Sequence, residues 1–372
     1  MNGKDIHDAV EYVGYDLVDT AEKQRFARPF WQTALPVAAM IALLLGVTVT
    51  LPQPVQTPEN TIPVEVPTLT EPAVTDTKQG TEETATIHPL NELFPILAEI
   101  PPDTFPEVDW NTFYLNEAGL DDDGTDFTTI HGDQVLAIDA KNGILLIRVK
   151  GEDYQGVLAV VNDPMKLSLQ ASSQIGVAGE TIGTIAEAHN GVLAINASGF
   201  LDENGAATGG HLSSFSICDG TAYNEEWMLH EGQARLEIDS SGQFHIASPA
   251  GPLGQDVRHA VQSVPYLIID GNISDNLDLW SGAHPRSCIG QTETGAVLLL
   301  VIEGRMLEYS LGFDLAGCAN ILARYGAVQA MTLDYGTSSI LWYDGEYITK
   351  CSNQALPEGR PLPNAFVVER AE

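Results

Sequence analysis

The sequence predicts an α+β fold, a mixed β-sheet with packed helices, preceded by one transmembrane helix and a disordered linker. Three features carry that expectation. Residues 30–51, FWQTALPVAAMIALLLGVTVTL, contain no charge. Residues 52–88 are dominated by Pro, Thr and Glu. From about residue 125 onward, short apolar runs alternate with Gly, Asn and Asp turns. Helical stretches are interspersed irregularly there, without the regular alternation of a doubly wound sheet.

Residues 1–29 form a short segment in which Ile6, Val10, Val13, Leu17 and Val18 recur at helical intervals. The run 30–51 has the length of one membrane-crossing helix. Pro36 near its start removes a backbone hydrogen bond at little cost. Lys23, Arg25 and Arg28 precede the run, and no basic residue follows until Lys78. The positive-inside bias therefore puts the N-terminus in the cytoplasm and the rest outside. The stretch before the apolar run is long for a cleaved signal peptide, which favours an uncleaved anchor. Residues 52–104 read as a linker whose composition cannot bury a core. Towards its end, LNELFPILAEIPPDTF reads as a short helix stopped by prolines. Residues 105–372 read as one folded domain.

Within that domain, QVLAIDAKNGILLIRVKG reads as two strands around the Lys141-Asn142-Gly143 turn. GVLAVVNDP is a strand ended by Asp163-Pro164. TIGTIAEAHNG reads as a helix with Gly191 just past its end. VLAINASGF is a strand, ARLEIDSSGQFHIAS a hairpin around Ser241-Gly242, and VPYLIIDGNIS a strand and turn. TETGAVLLLVIEGR gives a turn and a long buried strand. DLAGCANILARYGA is a helix with Leu315, Cys318, Ala319, Ile321 and Leu322 on its apolar side, leading into the strand AVQAMTLDYG.

Composition excludes several classes. The net charge is −34, from 17 Lys and Arg against 51 Asp and Glu, which argues against nucleic acid as a partner. Cys218, Cys288, Cys318 and Cys351 form no C-x-x-C, and read either as buried apolar residues or as one bridge with two free thiols. No histidine pattern, calcium loop or G-x-S-x-G elbow is present, so no metal or other cofactor is expected. DDDGTD at 121–126 has its glycine in the wrong place for calcium. Asn196-Ala197-Ser198 and Asn272-Ile273-Ser274 fit the glycosylation sequon, and accidental matching is the expected reading.

Three apolar strands end in polar clusters: INASGF at 195–200, LVIEGRM at 300–306 and TLDYGTSS at 332–339. A fourth cluster, HPRSCIGQTETG, precedes the strand that leads to Glu303. Turn chemistry explains the Gly and Asn residues, but explains Glu303 and Arg305 less well. Arginine presents a planar fork of donors that suits phosphate oxygens, which singles out Arg286 and Arg305 in so acidic a chain; ordinary pairing with local carboxylates is the competing reading.

Taken in order, INASGF, VPYLIIDGNI, HPRSCIGQTETGAVLLLVIEGR, LGFDLAGCANILARYGAVQAMTLDYGTSS and LPNAFVV resemble the phosphodiester glycosidase family, over roughly residues 125–372. Asn196, Phe200, Arg286, Ile289, Gly290, Gly304, Arg305, Asp334, Gly336, Ser338 and Ser339 match its usual pattern. The departures are Ser198 inserted before Gly199, Ser287 and Cys288 for Thr and Ala, Glu303 for Asp, Thr332 for Asn and Tyr335 for Gly.

The resemblance implies hydrolysis of a sugar-1-phosphodiester in a cell-surface glycan or exopolysaccharide, by an extracytoplasmic domain anchored through residues 30–51. It implies Glu303 and Asp334 as catalytic carboxylates and Arg286 and Arg305 as phosphate clamps. Gly336, Thr337, Ser338 and Ser339 become a turn donating to phosphate oxygens, and Asn196 and Asn364 readers of sugar hydroxyls. Glu303 and Tyr335 support the alternative of a glycan-phosphate binding module of the same fold with weak or no turnover. A third reading is a membrane-linked scaffold acting through residues 1–29 and the linker.

Overall fold

The computed structural model describes residues 87–101, 103–104, 108–116, 124–202, 207–225, 234–248 and 251–372. All belong to Thr81–Glu372, the second of the two units into which the chain divides. The expected N-terminal segment, transmembrane helix and linker up to residue 86 lie outside the described residues. Among the described residues no helix is long and apolar enough to cross a membrane.

The fold is α+β and rich in sheet. A nine-stranded sheet runs β1 (Tyr114–Asn116), β2 (Val135–Asp139), β3 (Ile144–Lys150), β4 (Gln155–Val161), β15 (Val297–Ile302), β14 (Arg286–Thr292), β16 (Ala327–Thr332), β12 (Tyr266–Ile269), β13 (Asn272–Ile273). A five-stranded sheet runs β10 (Phe244–Ala247), β9 (Ala234–Asp239), β11 (Val257–Ser263), β7 (Ser216–Cys218), β8 (Thr221–Tyr223). The third sheet runs β18 (Glu346–Tyr347), β17 (Leu341–Tyr343), β6 (Gly191–Asn196), β19 (Asn364–Glu369), β5 (Leu167–Ala171).

The expectation of a mixed sheet is corrected. Every strand pairing among the described residues is antiparallel. For the strand pairs adjacent in the chain the reason lies in the connections. Tight turns such as Lys141-Asn142-Gly143 join these neighbours directly, with Gly143 at φ 72°, whereas parallel neighbours need long crossovers.

Strand β15 shows how the core is built. Its pleat sends Val297, Leu299 and Val301 to one cluster and Leu298, Leu300 and Ile302 to another, all essentially buried. One face of the nine-stranded sheet packs on residues of the other two sheets, including Leu193, Phe366, Leu236 and Phe244. The opposite face packs on helices α1 (Pro89–Leu93) and α3 (Leu315–Arg324) through Leu90, Leu315, Cys318 and Leu322. Burial on both faces is why β15 reads as a continuous apolar run rather than an alternating one.

Helix α3 starts where Asp314 accepts a hydrogen bond from Gly317 N–H at 2.7 Å. Helix α2 (Ile182–Ala188) ends sooner than its sequence suggests. Asn190, at φ 51°, makes the left-handed turn and Gly191 already belongs to β6. Helix α1 is only five residues long and stops before Pro95. All four cysteines are buried free thiols.

Candidate active site

The ends of four strands converge on the segment 333–338. Arg286 opens β14 opposite Ile302, the last residue of β15, and Cys288 pairs with Thr332, the last residue of β16. Leu333 N–H then donates to Ser287 O at 2.8 Å, Asp334 N–H to Ala197 O at 2.9 Å and Gly336 N–H to Pro285 O at 3.1 Å. The segment is thereby laced to the end of β6 on one side and to the start of β14 on the other. Gly336 sits at φ 74°, a left-handed conformation that glycine adopts without Cβ strain. Tyr335 is extended, at φ −133° and ψ −175°, so a Cβ costs nothing where the family pattern that the sequence resembles has glycine.

Asp334 is partly exposed, yet its carboxyl is closely surrounded by protein. Burial raises its pKa to about 6, against the Ser338 hydroxyl, the Tyr335 N–H and the charge of Arg360, which favour the ionised form. Arg360 pairs with Asp202 and lies 4.6 Å from the centre of the Phe200 ring. An added Cβ at Gly199 would lie 2.9 Å from Ser213 Oγ and 3.8 Å from Asp334 Oδ1. Asp202, Phe200, Ser213 and Arg360 thus surround one side of Asp334.

The other side is cationic. Arg286 is 2% exposed; its Nε donates to Phe313 O at 3.2 Å and its Nη2 to Gly282 O at 2.9 Å. Its guanidinium stacks on Tyr335, 4.7 Å from the ring centre. Arg305 is exposed, at φ 60°, with its guanidinium lying over the Gly336 Cα, where an added Cβ would meet its nitrogens at 3.3 and 3.4 Å. His284 is half-buried, its ring 6.0 Å from that of Tyr335. Burial, then Arg286 and Arg305, hold its pKa down to about 4.

The turn Gly336–Ser338 closes with Ser339 N–H on Gly336 O at 3.1 Å. Thr337 ties this turn to the chain at 351–352, accepting from Cys351 Sγ and Ser352 Oγ. Ser339 is buried, and its Oγ has no hydrogen-bond partner among the described residues.

Three expected site residues have other work. Asn196 is fully buried. It donates to Asp334 O at 2.7 Å and accepts from Ser287 Oγ at 2.7 Å and from Ile340 N–H at 3.3 Å. Asn364, also fully buried, accepts from Ser198 N–H and donates to Ser198 Oγ, Ser216 Oγ and Cys218 Sγ. Their amides brace β6, β7 and β19 from inside; neither presents an open face to a sugar, and the Asn196 sequon is sterically closed.

Glu303 is 1% exposed. Its Oε1 accepts from Lys350 N–H at 2.5 Å, and both oxygens accept from Tyr309 OH. Its pKa is raised, chiefly by burial, with Arg148 and Lys350 as neighbouring cations. Glu303 thus ties the end of β15 to the segments that carry Tyr309 and Lys350.

Sequence reasoning did not select His284, Asp202, Arg360 or Ser213. His284 stands two residues before Arg286 in HPRS, and that adjacency was the available signal. The Asp202–Arg360 pair joins loops 158 residues apart and leaves no local trace. A cavity of about 310 Å³ borders the segments 281–283 and 312–314. Glu152, Asp153 and Asp314 line it, so it is a poor seat for phosphate. Among the described residues no His, Cys, Asp and Glu grouping fits a metal ion.

Residues 189–369 match the family model described as phosphodiester glycosidase. The SPbeta prophage-derived uncharacterized protein YomE of Bacillus subtilis is 24% identical over 184 residues, 47% of this chain and 28% of that protein. The match therefore spans under a third of that relative's length. The catalytic domain of zebrafish N-acetylglucosamine-1-phosphodiester α-N-acetylglucosaminidase, auto-inhibited by its pro-peptide, has a similar fold. That likeness has a TM-score of 0.50 at 18% identity, covering 61% of this chain and 82% of that one. A hypothetical protein from Synechocystis has a TM-score of 0.44 at 15% identity, covering 63% of each chain.

Proposed function

Because this chain belongs to the phosphodiester glycosidase family through residues 189–369, we propose that it hydrolyses the bond between a sugar anomeric carbon and a phosphodiester oxygen. One observation carries the reading: Asp334 stands between the Arg286–Arg305–Tyr335 cluster and the Asp202–Arg360 pair, with its pKa raised to about 6. A carboxylate poised near neutrality suits proton transfer or stabilisation of positive charge at an anomeric carbon.

In this reading the phosphate lies on the Arg286 and Arg305 side. Two guanidiniums offset its charge and favour its departure, because they stabilise the phosphomonoester more as negative charge accumulates on it. The Thr337 N–H, at the start of a 3-10 turn, has no protein acceptor among the described residues and can donate to the same oxygens. The sugar lies toward Asp202, Arg360 and Phe200, whose polar atoms and ring face suit hydroxyl groups and an apolar ring face. Ionised Asp334 stabilises the oxocarbenium-like transition state or activates water. The C1–O bond breaks with its electron pair going to the phosphate, water supplies the new C1–O bond, and the products are a free sugar and a phosphomonoester.

The test is incubation of the full chain with a methyl diester of N-acetylglucosamine-1-phosphate in ¹⁸O water. The reading expects label in the sugar, none in the phosphate, and loss of turnover in Asp334→Asn. Label in the phosphate, or full turnover by that variant, refutes it. A phosphate-binding module without turnover is the second reading, favoured by the brace role of Glu303. Calorimetric binding of the diester with no product would support it.

The domain is further proposed to act outside the cytoplasm on a cell-surface glycan or exopolysaccharide, held by residues 30–51. The uncharged apolar run and the basic residues before it support that placement. Extraction from membranes by alkaline carbonate, or a domain protected from protease added to intact spheroplasts, would count against it.

A further inference from the structure

The cationic side of the site contains a group that the reading above leaves unused. His284 immediately precedes Pro285, whose carbonyl accepts from Gly336 N–H. Its backbone is clamped to Phe313 in both directions, at 3.3 and 3.0 Å. Its ring folds back over Gly282, where an added Cβ would approach Nε2 to 2.5 Å. Among the described residues neither ring nitrogen makes a hydrogen bond. Two unpaired ring nitrogens on a half-buried imidazole, beside two guanidiniums, leave a donor and an acceptor for a ligand at this spot.

The polar and charged groups near it come from several segments. Arg286 follows it at the start of β14, Arg305 lies on the loop after β15 and Tyr335 on the segment after β16, while Glu152, Asp153 and Asp314 line the cavity beside residues 281–283. The Asp314 carboxylate is engaged by Gly317 N–H. Burial first, and then the charges of Arg286 and Arg305, disfavour the imidazolium form.

We propose that His284 is a specificity-determining contact for a phosphate oxygen at the Arg286–Arg305 end of the site, and that it takes up a proton as the anion binds. The proposal rests on the phosphate orientation given above. An oxyanion between the guanidiniums removes the repulsion that disfavours imidazolium and adds an acceptor for its N–H. The sign follows from linkage: an anion that raises the imidazole pKa binds more tightly as pH falls from neutral. A monoanionic diester meets two arginines and a neutral ring, whereas a dianionic phosphomonoester or sulfate draws in the extra proton. The site therefore holds a dianionic product more tightly in acid than at neutral pH.

The experiment uses the full chain with sulfate, whose charge does not change between pH 5 and 8. Calorimetry in buffers of different ionisation enthalpy measures protons taken up per sulfate bound. In the wild-type chain the expected uptake is a substantial fraction of one proton near pH 5.5. Sulfate affinity should be roughly tenfold higher at pH 5 than at pH 7.5. In His284→Gln uptake disappears and affinity becomes flat with pH; in Asp334→Asn the uptake persists. Near-UV circular dichroism checks that both variants remain folded. Sulfate binding without proton uptake, uptake retained in His284→Gln, or no sulfate binding in the wild-type chain overturns the proposal. Proton-linked sulfate binding in a chain that hydrolyses no diester would leave His284 standing and refute the glycosidase reading instead.

Discussion

The Arg286 guanidinium lies 4.7 Å from the centre of the Tyr335 ring, so the residue that departs from the family's glycine supports the buried arginine of the site. The extended backbone of Tyr335 makes this replacement free of strain, because the left-handed turn falls one residue later, at Gly336. Cation–π stacking of this kind contributes about 0.5–2 kcal/mol as the pair becomes desolvated. Tyr335→Ala should therefore raise KM for a sugar-1-phosphodiester by about 2- to 30-fold, while Tyr335→Phe stays near wild type. Steady-state kinetics check this; equal losses in both variants would show that the hydroxyl, not the ring, matters.

The raised pKa of Asp334 sets a pH limb. In the proposed mechanism its ionised form is the active one, so kcat/KM should fall tenfold per pH unit below about 6 and level off above it. Asp334→Asn should lose on the order of 100- to 10,000-fold in turnover and lose the limb with it. Glu303→Gln, a change in a brace, should leave the limb in place. A limb that moves with Glu303 and not with Asp334 would reverse the two assignments.

The same carboxyl lowers stability where it works. Its folded pKa lies above the value of 3.8 for a free carboxyl, so its contribution favours the fold at low pH and is lost as pH rises through about 6. Asp334→Asn should then stabilise the fold at pH 7.5 by on the order of 1 kcal/mol, after allowing for partial solvent screening, and so raise the melting temperature. The gain should shrink at pH 4. Scanning calorimetry at the two pH values decides this, and an equal gain at both would exclude the ionisation as its source.

A buried ion pair away from the site holds the second sheet. Arg235 and Glu237 on β9 meet at 2.6 Å with side chains 0% and 3% exposed. Arg235 also donates to Gly251 O and Pro252 O, and Glu237 accepts from Gly254 N–H. Glu237→Ala leaves a buried guanidinium without its carboxylate and should destabilise the fold by about 3–5 kcal/mol. Chemical denaturation of the purified variant measures it. A change below 1 kcal/mol would mean that the pair is solvated in solution.

Much of the architecture was legible in local pattern. The hairpins at Gly143 and Gly242, the inward positions of α3 and the long buried strand β15 all follow from period and turn chemistry that act over a few residues. Strand direction was not legible in the same way. Apolar runs of similar length serve parallel and antiparallel sheets alike, and only the pairing partners distinguish them. The helix end at Asn190 escaped because Asn and Gly compete for the same left-handed position.

At the site, the residue types were readable and their roles were not. The polar strand ends, the two arginines and Asp334 stand out in the sequence because charge at the end of an apolar run is costly without a use. Asn196 and Asn364 belong to the same clusters, yet the fold spends their amides internally. Their partners come from segments as far as 166 residues away, through strand register that no local stretch encodes. Register likewise surrounds Glu303 with Tyr309 and Lys350, and sets Arg360 and Asp202 beside Asp334. The chain's local chemistry thus pointed to a candidate site with two arginines and a carboxylate. Long-range packing chose which carboxylate stands in it, because burial and neighbouring charge, which tune a pKa, arise only when distant segments meet.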